Sequence, residues 1–169
     1  MSEHRAPVIP PPVVVAAALA AQRRLAGRRR GGPVSTTAAG VLLAASAGIS
    51  VWADLGFGAA KTSINPLHPE KSSTLVVSGA NSISRNPMYL GMVGAVTAHA
   101  LWRGSARALL PALGLALWLD RLQIPAEEEA LQATFGQAYA DYTNRVPRWI
   151  QLPSTLIWLA SRDRLRIAG

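Results

Sequence analysis

The sequence predicts an all-α fold, an integral membrane bundle of about four to five membrane helices. Half of the 169 residues are hydrophobic and only 15% are charged, a length and composition that suit one domain. The apolar residues arrive in long blocks instead of the evenly broken pattern of a soluble core. Between the blocks lie the charges, together with Pro-, Gly- and Ser-rich breaks, the arrangement expected at membrane edges.

The first block, Ala6 to Ala21, follows one early Arg, yet Pro7, Pro10, Pro11 and Pro12 interrupt any regular signal-peptide core. The Arg-rich stretch Arg23 to Arg30 is a poor cleavage context, so the block reads as a short, irregularly started membrane helix. Val34 to Phe57 is the best single span, because at 1.5 Å per residue it covers a hydrocarbon core of about 30 Å. Asp54, near its end, reads as an interfacial residue. Gly58 to Arg85 is a polar connector whose Asn65-Pro66-Leu67-His68-Pro69 and Ser78-Gly79 forbid one continuous helix. Pro87 to Trp102 and Leu109 to Ile124 are apolar segments joined by the short turn Arg103 to Arg107, which makes them antiparallel neighbours. Their open ends then lie on one side, bringing Arg85 to Gly91 close to Asp120 to Glu129. Pro125 to Tyr142 reads as an amphipathic surface helix with Pro in its first turn. Trp149 to Ala160 is too short to span comfortably and reads as a re-entrant or interfacial helix before the basic tail Arg162, Arg164 and Arg166.

The formal charge of +8 raises the question of nucleic acid, but the Lys and Arg flank apolar blocks instead of lining a groove-facing helix. No nucleic-acid partner is expected; membrane lipids are. The absence of cysteine excludes disulfides, thiolate nucleophiles and cysteine-based metal centres. His4, His68 and His99 show no metal-binding spacing, so no metal is assigned. His99 lies about 20 Å along its helix from Asn86 and reads as a structural hydrogen-bonding residue between helices.

Two constellations remain. Arg85-Asn86-Pro87-Met88-Tyr89-Leu90-Gly91 opens the hairpin, where Pro presets the first helical turn and free amides can hold an anionic group. Tyr89 adds a π face near the membrane surface; a plain helix start with an aromatic anchor would look the same. Glu127 and Glu128 close the hairpin's far end, and acids in a first turn are also ordinary dipole-favouring surface residues. Leu131, Phe135, Gly136, Tyr139 and Tyr142 follow them, tying the acids to a helix whose apolar face must dock on the bundle.

These motifs in this order, with Asn65-Pro66, Ser78-Gly79 and Arg145-Val146-Pro147-Arg148-Trp149, resemble the isoprenylcysteine carboxyl methyltransferase and phospholipid methyltransferase group over roughly Asn65 to Trp149. The resemblance implies a methyltransferase whose last helices enclose S-adenosylmethionine at the cytoplasmic surface of a bacterial inner membrane. It divides the single domain into N-terminal membrane helices over 1–57, the connector over 58–85 and a cofactor-binding catalytic part over 86–169. Carried over by motif position, Arg85, Asn86, Pro87, Tyr89, Leu90, Gly91, Glu127, Glu128, Tyr139 and Tyr142 would contact the cofactor. Arg145 and Arg148 would close the pocket and, with Tyr89, act at the reacting centre. Many relatives have His where this chain has Asn86, and an amide cannot act as a base.

Methyl transfer suits these residues, because in-line displacement from a sulfonium needs alignment, exclusion of water and groups that tolerate a cation. A sterol-reductase type of enzyme would need a nicotinamide site, and the chain has no Gly-rich fingerprint; a non-catalytic membrane subunit would use every motif residue for packing. The acceptor is expected to be amphiphilic or lipid-like. Gly91, Gly94, Ala95, Ala98, Ala112, Gly114 and Ala116 would leave a lateral entrance between the two hairpin helices. A cytoplasmic site puts Arg23, Arg24, Arg28, Arg29 and Arg30 outside, against the positive-inside tendency.

Overall fold

The computed structural model describes residues 9–27, 30–60 and 74–150. Asn65-Pro66, His4, His68, most of the expected Trp149 to Ala160 helix and the basic tail lie outside them. Among the described residues every regular element is helical: α1 (Pro11–Ala26), α2 (Pro33–Ala60), α3 (Pro87–Arg103), α4 (Leu109–Trp118), α5 (Ile124–Phe135) and α6 (Gln137–Arg145). Short 3₁₀ turns at Gly79–Ser82 and Ala106–Ala108 precede α3 and α4.

Prolines start the helices where the sequence suggests, since a first-turn Pro loses no intrahelical bond. Pro11 and Pro87 do so at α1 and α3. The first helix nevertheless sits further along the chain than expected, carrying Arg23 and Arg24 in its last turn and ending at Gly27 with φ 61°. Gly104, with φ 60°, ends α3 in the left-handed conformation and turns the chain into the hairpin. Among the described residues only α2 is, by its own length and composition, long and apolar enough to cross a membrane, so the other spans expected there are not carried by helix length.

α3 is the central helix. Against one side lies α2; against the other, α1 and α4 complete a core of Ala18, Tyr89, Val96, Ala112, Leu115, Leu119 and Ile124. Gly91 and Gly94 allow the α2 approach: an added Cβ would collide with Ser50 and Ser46 respectively, and at Gly91 it would lie 2.8 Å from the Ser46 carbonyl. These glycines therefore serve helix packing against α2, and do not open the expected lipid slot between α3 and α4. Gly91, expected at the cofactor, is placed against α2.

Gln22, fully buried on α1, ties the bundle together. Its Nε2 donates to the carbonyls of Val96 at 2.9 Å and Ala108 at 2.8 Å, and its Oε1 lies 2.6 Å from His99 Nδ1. His99 thus makes the interhelical bond its sequence position suggests. Outward-facing apolar residues remain on α2 and α4, among them Val41, Leu55, Leu110 and Leu113, more than half exposed. Such a surface matches a lipid solvent better than water.

The largest departure follows α4. Pro125 does not open a separate surface helix; α4 runs into α5 through a π turn at Leu119–Gln123. Pro125 has no amide, and its ring would strike the Arg121 carbonyl in a regular α-helix, so the wider turn relieves both. The helix expected to continue to Tyr142 breaks at Gly136, whose φ of 53° disfavours a side chain. α6 then turns back, docking Tyr139, Tyr142 and Val146 with Leu75, Leu131 and Phe135.

Candidate functional site

The ends of the α3–α4 hairpin meet at one end of the bundle, as the short turn requires. Two acidic neighbours on α5 receive different company there. Tyr89 donates its hydroxyl to Glu127 Oε1 in a short hydrogen bond, and Gln123 Nε2 donates to the same oxygen at 2.6 Å. Glu128 instead holds two guanidinium groups. Arg148 makes a two-point contact through Nη2 to Oε2 at 2.6 Å and Nε to Oε1 at 3.2 Å, while Arg85 Nη2 lies 3.0 Å from Oε1.

The π turn supplies the next contact. Ile124 N–H bonds back to the Leu119 carbonyl, and Pro125 has no N–H, which leaves the Asp120 carbonyl without its usual backbone donor. Arg148 Nη1 takes that place at 3.3 Å and also lies 3.2 Å from Asp120 Oδ1. Trp149 Nε1 donates to the same Oδ1 at 2.9 Å.

The segment entering α3 runs beside the one leaving α6. Arg85 N–H donates to the Pro147 carbonyl at 2.9 Å. Ser84 Oγ and Asn86 Nδ2 both donate to the Arg148 carbonyl at 3.1 Å, and Ser84 Oγ accepts from Asn86 N–H. Asn86 makes no side-chain cap on α3; its amide holds the backbone of Arg148.

Burial pushes the Glu127 carboxyl up to about 7; the hydrogen bonds from Gln123 and Tyr89 pull it down, and the Glu128 charge pushes it further up. Among the described residues both donors to Glu127 converge on its Oε1, leaving Oε2 for another partner. Arg85 Nε is buried without a hydrogen-bond partner among the described residues. Among the described residues the cluster therefore presents a carboxylate with no cation on it and, beside it, a guanidinium with a donor to give. A ligand carrying both an ammonium and a carboxylate would meet both needs.

The residues expected at the site divide into four groups. Arg85, Asn86, Tyr89, Glu127, Glu128 and Arg148 come together. Pro87 is buried at the start of α3 and Leu90 is half-buried one turn along. Tyr139 and Tyr142 belong to the apolar contact that seats α6, and burial raises both phenols, Tyr142 to about 12. The Tyr142 hydroxyl donates to the Asn81 carbonyl at 2.7 Å, which ties α6 to the turn before α3. Arg145 is exposed, with Nε on the Asp141 carbonyl of its own helix at 3.2 Å, because it lies on the solvent side of α6. It does not join Arg148. Tyr89, expected at the reacting centre, is 6% exposed and directs its hydroxyl at Glu127, so it positions the carboxylate.

Asp120, Gln123 and Trp149 are site neighbours that sequence reasoning did not single out. Asp120, Gln123 and Glu127 are spaced three and four apart, a helical stripe that could have flagged them.

The family model described as phospholipid methyltransferase matches residues 34–138, more than half of the chain. An uncharacterized protein of Haemophilus influenzae is 35% identical over 63 residues, which is 37% of this chain and the whole of that protein. No solved structure matches.

Proposed function

This chain belongs to the phospholipid methyltransferase family, and we propose that it moves a methyl group from S-adenosylmethionine to an amphiphilic, lipid-like acceptor at the membrane surface. The observation that carries this reading is the pairing of a cation-free carboxylate, Glu127, with the unpartnered Nε of Arg85. S-adenosylmethionine fits that pair: its amino-acid end offers an ammonium for Glu127 and a carboxylate for Arg85. When bound, it supplies an electrophilic methyl group on a sulfonium.

The protein's own residues hold and shield that group. Tyr89 and Gln123 fix the Glu127 carboxylate. Glu128 and Asp120 hold Arg148 across the site's edge, and Ser84 and Asn86 anchor the Arg148 backbone. Water exclusion comes from α6, packed over α5 by Tyr139 and Tyr142. No side chain here needs to form a covalent intermediate. In this reading the whole chain is one unit, α2 crosses the bilayer, the α3–α4 hairpin is inserted beside it, and α5 and α6 form an interfacial cap facing the cytoplasm. An acceptor with an apolar tail then keeps its tail in the bilayer and its reactive head at the cap.

Calorimetry of the full chain in nanodiscs is expected to give saturable S-adenosylmethionine binding, competed by S-adenosylhomocysteine. Radiolabelled methyl donor incubated with total membrane lipid is expected to transfer label to the organic phase. Folded protein that shows neither heat nor competition at millimolar ligand ends the methyltransferase reading. Binding without lipid labelling removes only the lipid-like acceptor.

A further inference from the structure

The opposite end of the bundle holds a second charge cluster. We propose that this end is a binding site for the phosphate of an anionic phospholipid, separate from the methyl acceptor. Arg103 lies about 20 Å along α3 from Tyr89 by the helical rise, too far for one headgroup to reach both ends.

Arg23, Arg24, Arg30, Arg103 and Arg107 gather where α1 ends, α2 begins and the hairpin turns. Among the described residues the ion pairs lie at the other end, on Asp120 and Glu128. Five like charges with no carboxylate on them among the described residues repel one another, so an anion binding among them relieves that repulsion. Arg103 Nε is, in addition, buried without a hydrogen-bond partner among the described residues.

The arrangement is a shaped site as well as a charged one. A cleft lies between the end of α1 and the hairpin turn, lined by Arg24, Leu25, Gly27, Gly104, Ser105 and Arg107. Ser105 precedes the 3₁₀ turn without capping it, which leaves its hydroxyl for a phosphate oxygen. Two contacts hold the walls in place. Gly31 N–H donates to the Trp102 carbonyl at 2.8 Å, and Gly104 approaches Gly31 so closely that a Cβ would fall 2.5 Å from its Cα. Arg30 and Arg103 both lie over the Trp102 ring, at 4.8 and 5.8 Å from its centroid.

Apolar surface decides for a lipid over a free anion. Leu25 in the cleft is 44% exposed, and Leu109 and Leu110, just past the turn, are 41% and 61% exposed. Inorganic phosphate would neutralise the arginines and leave these leucines bare; a phospholipid covers them with its acyl chains. Trp102 beside the cluster suits a headgroup level, where indole rings concentrate.

Native mass spectrometry of the full chain, released from micelles with phosphatidylglycerol and phosphatidylcholine in equal amounts, tests the site. The wild type is expected to retain phosphatidylglycerol preferentially. Arg24→Gln with Arg107→Gln should reduce that preference by about tenfold or more, whereas Arg121→Gln with Arg145→Gln, equal in charge but at the other end, should not. Circular dichroism checks the fold; if the double change unfolds the protein, Arg107→Gln alone, on the exposed turn, is expected to lose about threefold or more. Equal loss in both double variants means diffuse surface charge and overturns the site. Unchanged retention after the Arg24 and Arg107 changes does so too. Displacement of the lipid by millimolar inorganic phosphate overturns the lipid assignment in favour of a free-anion site.

Discussion

Glu127 and Glu128 are adjacent in the chain yet differ in what neutralises them. Glu128 carries two guanidinium groups, from Arg85 and Arg148. Among the described residues Glu127 accepts only from neutral donors, Tyr89 and Gln123. Successive helical residues point about 100° apart, so one acid faces the bundle core and α3 while the other faces the loops leaving α6. The matched motif positions treat the two acids alike; their partners do not.

Glu127→Gln is therefore expected to weaken S-adenosylmethionine binding by about ten- to hundred-fold, the loss of one charge-assisted hydrogen bond, with little change in fold. Glu128→Gln is expected to act mainly on stability, because Arg85 and Arg148 lose their shared counter-ion; a cost of about 1–3 kcal/mol fits partly exposed groups. Calorimetry and thermal unfolding on each variant separate the two effects. Equal loss of affinity with unchanged stability in both would contradict the division.

The raised carboxyl of Glu127 gives binding and stability opposite pH dependences. With a folded-state pKa of about 7, above its unfolded value, Glu127 holds more protons in the folded protein. Its contribution to stability is full below about pH 4.3 and declines as pH rises through 7. Cation affinity runs the other way, falling towards tenfold per unit as pH drops below about 7. Tyr89→Phe removes a hydrogen bond that lowers the carboxyl's pKa, so the binding midpoint should move to higher pH. Titrations between about pH 5 and 8.5 check both; a flat wild-type profile matching Glu127→Gln would remove Glu127 from the cation site.

The two C-terminal arginines of the motif should separate cleanly. Arg148→Gln breaks contacts to Glu128 and Asp120 and is expected to lower transfer activity by about tenfold or more. Arg145→Gln, exposed and bonded within its own helix, should change activity by less than about twofold. Comparable losses in rate assays would mean that α6 rearranges to bring Arg145 inward.

Packing predicts a third contrast. Gly91→Ala places a methyl against the Ser46 backbone and should destabilise the α2–α3 contact by about 1–3 kcal/mol. Gly114→Ala meets nothing within 4 Å and should stabilise α4 by up to about 1 kcal/mol through helix propensity. Thermal unfolding in the same lipid reads both. Tolerance at Gly91 would reopen the slot between α3 and α4.

The sequence by itself determined the helical fold, the positions of α2 and the hairpin, and the meeting of Arg85 to Tyr89 with Glu127 and Glu128. Those features follow from local causes: apolar block length, first-turn prolines, and a connection too short to do anything but reverse the chain. Tertiary structure alone decided how the side chains are used. The π turn before Pro125, the closure of Asn86 on the Arg148 carbonyl and the facing of Gly91 towards α2 depend on which neighbour fills each space. Arg145 and Arg148 are three residues apart in one motif, yet only Arg148 reaches the carboxylates, because α6 ends between them and the chain turns back towards α3. Motif spacing carries the direction of a helix face, but burial and hydrogen-bond partners are set by elements far away in sequence, and these assign each charge its work.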